Sequence, residues 1–460
     1  MLLRVAGNPR DVAGHRQRVT RAALLAAALL AAGCSRPPAR LVLITIDSLR
    51  ADHVGPRREG ASLTPALDAL ARDGVSYDDA IANCTVTRCS HASLLTGLYP
   101  ERHGLLDNSS PLGDVVALPA LLHAAGFVTG AVISSLPLKG LLPGWDSLHE
   151  GFDAAEAVRT QYRVKRPEQT TQVAARFLQE RESDRFFLWV HYFPPHGPYT
   201  PPEAFLPAGA PAPDERLAVS AQNYDKGRIP AYQALPEVFE AAEYRRRYAG
   251  HVRYVDHFVG RFLNRLREAG LYEDALIVAT SDHGESLGEH GWYFVHGNLA
   301  YEEQARVPLI VKWPRARHAG RRVSAGVELV DVAPTLLKSL GGPAHEMDGW
   351  PLPDPMGSRE HPRSRHAQSN DAEVVAVWDG PWKLLWKRGR TTYTDPGHPA
   401  LELFRLDQDP GETRDLASSQ PARVKTLQVE LRRRYGRVPV SPSAPAPETR
   451  EALRALGYVE

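Results

Sequence analysis

The chain alternates short apolar runs with longer amphipathic stretches. Leu41 to Ile46 is a continuous apolar run rich in β-branched residues, the mark of a strand buried on both faces. Phe127 to Ile133, Phe186 to His191, Ala275 to Thr280 and Val307 to Val311 also read as strands. Helical signals fall between them. Thr64-Pro65 opens one, with Thr as N-cap, Leu67 and Leu70 on one face and Gly74 as the stop. Further helices are expected near Pro119 to Ala125 and Gln172 to Glu182. Another runs from Arg245 to Ala269, where Val252, Val255, Val259, Phe262 and Leu266 recur at helical spacing before Gly270. This alternation predicts an α/β fold, a mostly parallel sheet with helices on both faces. In such sheets functional groups gather beyond the carboxyl ends of the strands. Asp47, His196 and the pair Asp282-His283 each fall just after a predicted strand.

The pattern changes after Gly349. Val374 to Trp378, Trp382 to Trp386 and Leu401 to Leu406 read as short antiparallel strands, followed by a helix over Pro421 to Tyr435. The expected organisation is a catalytic domain over 40–349 and a smaller C-terminal α+β subdomain over 350–440. A linker and terminal helix follow over 441–460. Pro201 to Pro236 is rich in Pro and Ala and is expected to be a surface excursion near the rim of the site.

Residues 1–34 read as an export signal. Arg16, Arg18 and Arg21 precede the apolar run Ala22 to Ala32, which ends in Gly33-Cys34. That ending resembles a bacterial lipobox, with Cys34 as the lipidated residue. Periplasmic or cell-surface placement, with a lipid anchor as the only tie to a membrane, is therefore expected. A net charge of +1 gives no electrostatic reason to expect nucleic acid as a partner. Nothing in the chain fixes its oligomeric state. Removing Cys34 leaves Cys84 and Cys89, for which a disulfide and two separate thiols both stay open.

The chemistry-bearing residues cluster in three segments. Two acidic strand ends, Asp47-Ser48 and Asp282-His283-Gly284-Glu285, flank a loop crowded with nucleophiles, Cys84-Thr85-Val86-Thr87-Arg88-Cys89-Ser90-His91. Carboxylates that hold a divalent cation next to a hydroxyl or thiol are what metal-assisted ester hydrolysis needs.

Thr87-Arg88-Cys89-Ser90-His91-Ala92-Ser93-Leu94-Leu95-Thr96-Gly97 resembles the first signature of the sulfatases, within the alkaline phosphatase superfamily. Ser281 to Gly291 is similar to their second signature. Tyr301-Glu302, Arg306-Val307-Pro308, Val330 to Thr335, Asp407 to Glu412 and Leu453 to Tyr458 follow in order. The resemblance spans roughly residues 40 to 460 and implies an alkaline-phosphatase-like fold and a sulfatase-like hydrolase of small-molecule or glycan esters.

Its site would comprise Thr87 as nucleophile and Asp47, Thr87, Asp282 and His283 around one divalent ion. His196 and His296 would act on the ester, with Arg88 and His91 as anion contacts. Counting back from Thr96-Gly97 puts Thr87 where sulfatases carry the Cys or Ser that becomes formylglycine, and Thr cannot make that group. A rival register puts the nucleophile at Cys84. The family's usual second acid is Ser48 here. Ca²⁺ follows from the resemblance, whereas an imidazole with fewer carboxylates points to Zn²⁺ or Mn²⁺. Relatives with two metals carry Asp near Pro194, so one ion is expected. Alternatives are a phosphate, phosphodiester or phosphonate ester hydrolase that uses Thr87 directly, and a non-catalytic binder of sulfated or phosphorylated glycans. A transferase of the same chemistry would normally carry membrane spans, and no apolar run after Cys34 approaches about 20 residues.

Overall fold

A computed structural model describes residues 37–56, 61–142, 145–149, 166–222, 224–341, 346–356, 363–388 and 400–438. Cys34 with its signal segment, and the linker and terminal helix expected over 441–460, lie outside the described residues. No helix among those described is long and apolar enough to cross a membrane.

The main sheet has nine described strands: β1 (Arg40–Ile46), β2 (Val75–Ile81), β3 (Val128–Val132), β4 (Ser147–His149), β5 (Phe186–Tyr192), β6 (Ala275–Ser281), β7 (Arg306–Lys312), β8 (Arg321–Val323) and β9 (Val327–Glu328). Their order is β8-β2-β7-β6-β1-β5-β3-β4, with β9 also paired to β2. Only β7 runs antiparallel to its neighbours; the other described pairings in this sheet are parallel. β1 lies at the centre, and its last residue, Ile46, stands opposite Tyr192 of β5 and Ser281 of β6.

Side-chain alternation divides the core into two layers. Leu41 and Leu43 of β1, Phe187 and Trp189 of β5, and Leu276 and Val278 of β6 face one side. There they pack on α2 (Thr87–Thr96), α3 (Leu118–Ala124) and α6 (Val332–Ser339). Val42, Ile44, Leu188, Val190, Ile277 and Ala279 face the other. They meet α1 (Pro65–Asp73), α4 (Pro167–Glu180) and α5 (Ala241–Glu268). The helical face read for α5 is the buried one: Val252, Val255, Val259, Phe262 and Leu266 are all 0–1% exposed. Each such side chain contributes about 1.5–3 kcal/mol.

Thr64 occupies the N-cap of α1 but makes no side-chain cap bond. Asp256 of α5 does this instead, accepting from the N–H groups of Ala66 at 2.9 Å and Leu67 at 3.0 Å. A carboxylate from a packed neighbour satisfies the orphan donors that the local hydroxyl leaves.

The C-terminal sheet is antiparallel, in the order β10 (Arg365–Gln368), β11 (Val374–Asp379), β12 (Trp382–Lys387) and β13 (Leu401–Arg405). One face carries Val375, Val377, Leu384 and Leu403 against Leu427, Leu431 and Tyr435 of α7 (Pro421–Tyr435). The opposite face carries Val374, Ala376, Trp378 and Phe404 against Ile81, Trp292, Val295 and Tyr301 of the catalytic part. That seam encloses a buried ion cluster. Lys383 Nζ lies 3.0 Å from Glu302 Oε1 and 2.7 Å from Glu412 Oε1, and Tyr301 donates to Glu402 at 2.6 Å.

Replacing Lys383 by Met would leave Glu302 and Glu412 buried without their cation. Breaking such a cluster costs about 3–5 kcal/mol. Thermal unfolding of Lys383→Met should therefore show a large drop in Tm relative to wild type. An unchanged Tm would contradict a structural role for the cluster.

Candidate active site

The period-two alternation continues past the strand ends and delivers polar groups to the α2 side of the sheet. Thr45, His191 and Asp282 follow the apolar positions Leu43, Trp189 and Val278 on that face. The Trp189 indole donates to Thr45 Oγ1 at 2.9 Å, and the His91 ring of α2 packs on that of His191 with centroids 5.2 Å apart. Asp47 leaves β1 beside them, its N–H bonded to Tyr192 O at 2.9 Å. The Ser281 hydroxyl fastens the two strand ends together. It lies 2.6 Å from the carbonyl oxygens of both Ile46 and His283 and accepts the Leu49 N–H at 2.9 Å.

Thr87 is the first residue of α2, after Val86 at the N-cap. Its hydroxyl does not cap the helix; Oγ1 lies 3.2 Å from His283 Nε2. Cys84 and Cys89 form a disulfide across this turn, with Cα atoms 5.9 Å apart. Ser90 Oγ donates to the Asp282 carbonyl at 2.6 Å, so α2 is tied to the Asp-His turn.

Asp47, Asp282, His283 and Thr87 are all 0% exposed. Asp282 Oδ1 accepts the N–H groups of Ser48 at 3.1 Å and His283 at 2.9 Å. Asp47 Oδ1 accepts the Ser48 hydroxyl at 3.0 Å. Their remaining oxygens, Oδ2 of each, are buried with no hydrogen bond. His283 Nε2 stands 3.4 Å from Asp282 Oδ2 and 3.7 Å from Asp47 Oδ1. One donor atom from each of Asp47, Asp282 and His283 falls within 4.8 Å of the others. Orphaned buried carboxylate oxygens are costly in a native structure. Two aspartates that share an imidazole, itself 3.2 Å from the Thr87 hydroxyl, make a cation's donor set, so these residues fit the divalent ion that sulfatase-family members bind.

Burial lifts the Asp47 pKa. Burial also opposes charge on His283, but Asp282 and Asp47 outweigh it and raise that pKa. His91 and His196 are pushed down to about 3, chiefly by burial, and His296 falls well below its ordinary value for the same reason.

The structure brings His196 and His296 to the centre. The His296 ring stacks on His283 with centroids 4.3 Å apart and meets the His196 ring edge-on at 4.9 Å. His196 Nδ1 lies 2.8 Å from Gly197 O, and the ring stacks on Phe193. The 201–236 excursion supports this wall: Tyr232 and Gln233 both donate to the Phe294 carbonyl at 3.1 Å.

The two expected anion contacts are placed otherwise. The Arg88 guanidinium donates to the carbonyls of Pro137 at 2.6 Å and Lys139 at 3.1 Å, tying α2 to a neighbouring loop. His91 is fully buried beneath the carboxylates. Its Nδ1 lies 2.8 Å from Thr87 O and its Nε2 3.0 Å from Thr45 Oγ1, so both ring nitrogens are engaged internally.

Three residues join the site for which no individual role was read from the sequence. Asn108 accepts the Arg88 N–H at 2.8 Å through Oδ1, next to Thr87, while its Nδ2 is buried with no hydrogen bond. His191 sits 3.6 Å from Asp47 Oδ2 and 2.9 Å from Ser134 Oγ. Glu285 lies 3.1 Å from His296 Nδ1. The position of His191 at a strand's carboxyl end was a usable signal. Asn108 follows an irregular loop and carried none. His290 stacks on Tyr301 at 3.8 Å and belongs with the scaffold.

A mostly parallel sheet with this constellation at its strand ends defines an alkaline-phosphatase-like ester hydrolase. The sulfatase family profile matches residues 40–342, and the chain belongs to that family. It is 27% identical over 383 residues to the multifunctional alkaline phosphatase superfamily protein PehA of Trinickia caryophylli, covering 66% of this chain and 74% of that one. It is 24% identical over 458 residues to an arylsulfatase of Clostridium perfringens, covering 83% and 90%. Among solved structures, the phosphonate monoester hydrolase of Agrobacterium radiobacter superposes with a TM-score of 0.65 at 22% identity, covering 86% of this chain and 95% of that one. BT4656, solved with D-glucosamine-2-N,6-O-disulfate, superposes with a TM-score of 0.68 at 21% identity, covering 89% and 100%. These likenesses share the fold.

The disulfide is open to a direct count. A Cys34→Ser protein, denatured without reductant, should show no thiol reactive to Ellman's reagent, and two after reduction. Two thiols before reduction would refute the pairing.

Proposed function

We propose that this sulfatase-family hydrolase cleaves sulfate monoesters through a covalent ester on Thr87. The observation that carries the reading is the Thr87 hydroxyl, 3.2 Å from His283 Nε2, which itself lies 3.4 Å from Asp282 Oδ2, a buried carboxylate oxygen that accepts no hydrogen bond. Asp47, Asp282, His283 and Thr87 would hold one divalent ion. When bound, it lowers the pKa of the hydroxyl and neutralises charge on the ester. Two carboxylates and an imidazole favour Zn²⁺ or Mn²⁺ over Ca²⁺, which takes oxygen ligands.

Thr87 Oγ1, having lost its proton to solvent, attacks sulfur in line with the leaving oxygen. The Oγ1–S bond forms as the bond to the leaving alcohol breaks, and His196, protonated from solvent once the anionic ester beside it favours its charged form, delivers that proton to the alkoxide. The positive end of α2 and the Nδ2 of Asn108 support the anionic group during transfer. Water then displaces Oγ1 and releases sulfate. His296 holds the transferred group.

A second reading has one specific support. Thr87 offers an unmodified hydroxyl, and a hydroxyl nucleophile suits phosphoryl groups as well. Phosphate, phosphodiester or phosphonate esters are then the substrates, with the same residues in the same roles.

Thr87→Ala should reduce turnover about a thousandfold or more, while Asp47, Asp282 and His283 still bind metal with lower affinity. The assay compares 4-nitrophenyl sulfate, 4-nitrophenyl phosphate and a bis-aryl phosphate with metal-stripped protein re-supplied with Ca²⁺, Mn²⁺ or Zn²⁺. Turnover that survives Thr87→Ala and is lost on changing Cys84 would overturn the Thr87 register.

We also propose export and lipid anchoring at Cys34. Wild-type protein expressed in a bacterial host should partition into detergent extracts of membranes, and Cys34→Ser should shift it to the soluble fraction. Equal partitioning of the two would refute the anchor.

A further inference from the structure

Glu285 is fully buried, and among the described contacts its carboxyl makes no direct ion pair with a lysine or arginine. Oε2 accepts the Tyr199 hydroxyl at 2.8 Å, and Oε1 lies 3.1 Å from His296 Nδ1. The nearby Arg50 guanidinium goes elsewhere, to Asp52 at 2.7 Å, Glu289 at 2.8 Å and the Glu285 backbone carbonyl at 2.9 Å. The backbone of Glu285 is itself fixed, its N–H donating to Glu303 O at 2.9 Å. A carboxyl taken out of water is costly unless its oxygens find hydrogen-bond partners. Here its two oxygens address two uncharged ring side chains, and one of these is the imidazole stacked on His283.

Tyr199 completes the chain. It belongs to the loop that carries His196, and its ring packs edge-on against Tyr248, whose hydroxyl donates to Ser48 O at 2.7 Å. Tyr199, Glu285 and His296 therefore join the loop of one ester-facing histidine to the ring of the other. With Nδ1 committed to Glu285, the chemistry of His296 passes through Nε2, on the opposite edge of the ring.

We propose that Glu285, held by Tyr199, is the positioning residue for His296, fixing the plane and tautomer of that imidazole against the transferred group. This rests on the ester-transfer reading above. A carboxylate behind a histidine sets its ring in the same way at metal centres.

The test is a double-mutant cycle of Glu285→Gln and His296→Ala on whichever aryl ester the wild-type protein turns over, with bound metal measured in each variant. Glu285→Gln should lower kcat about 10- to 100-fold, with KM and metal content within about twofold of wild type. In the His296→Ala background the same change should cost less than about twofold, because residues that act as one unit are not additive. A full cost in that background, loss of metal with Glu285→Gln, or an unchanged kcat would each overturn the proposal. Should Glu285→Gln fail to fold, Tyr199→Phe gives the same reading: a loss of kcat in the wild-type background and none beside His296→Ala. Thr87→Ala, run in parallel, separates the two claims. Turnover without Thr87 refutes the covalent step, and the cycle still reports whether Glu285 acts through His296.

Discussion

The site depends on the register of three parallel strands. β1 runs between β5 and β6 and ends level with both, so Asp47 and Asp282 leave the sheet side by side. A slip of one residue in β1 would turn its side chains to the opposite face and carry Asp47 away from α2. The hydrophobic alternation resists that slip, because Leu41 and Leu43 would exchange layers with Val42 and Ile44. The Ser281 hydroxyl adds a local clamp by meeting the Ile46 carbonyl at 2.6 Å. Register is thus set by apolar packing along the strand and sealed by a polar contact at its end.

That sealed end concentrates groups whose burial is unfavourable one by one. Asp47, Asp282, His91, His191 and His283 are all 0% exposed. Part of their desolvation is offset inside the protein. Ser48 and His283 supply N–H groups to Asp282, and Thr45 and the Thr87 carbonyl engage His91. The Oδ2 atom of each aspartate accepts no hydrogen bond; that of Asp47 lies 3.6 Å from His191 Nε2 and that of Asp282 3.4 Å from His283 Nε2. The pair itself is left with the capacity to bind. Donor atoms of Asp47, Asp282 and His283 lie within 4.8 Å of one another, which is why they support a cation site.

Much of this was legible in the sequence because the relevant signals are local and periodic. The β1, β5 and β6 runs, the buried face of α5 and the helix over Pro421 to Tyr435 follow directly from spacing and punctuation. The placement of Asp47, His196, Asp282 and His283 at one end of the sheet follows from strand polarity, whereas Thr87 and His296 were expected there from the family resemblance. β2 was not read as a strand because Val75–Ile81 carries Asp78 and Asp79, and its pairing to the antiparallel β7 is a tertiary fact. Arg88 and His91 show a different limit. A charged residue beside a nucleophile suggests an anion contact, but on a helix adjacent positions face different neighbours. Arg88 turns outward to the loop carbonyls, and His91, one turn after Thr87, turns down onto the sheet. Asn108 and Glu285 depend on which loops meet, and no periodicity records that.

The C-terminal subdomain is bonded to the site as well as packed against it. Gln368, at the end of β10, receives the Thr85 N–H at 2.9 Å and gives its own N–H to Asn83 at 3.1 Å, so it holds the segment that leads into the disulfide. Beyond it, the Asn370 N–H reaches Gly297 O at 2.8 Å and the Asp371 N–H reaches Leu106 O at 3.0 Å. Gly297 follows His296, and Leu106 lies on the segment that presents Asn108. One short stretch from the end of the small sheet's first strand onward therefore touches the turn before Thr87, the segment of His296 and the segment of Asn108. Hydrogen bonds of about 1 kcal/mol each are too weak to hold a domain. The apolar seam around Trp378 and the ion cluster at Lys383 bear that load. The backbone contacts at 368–371 then add precision to a docking that is already stable, and loops that lie far apart in the sequence meet around one hydroxyl.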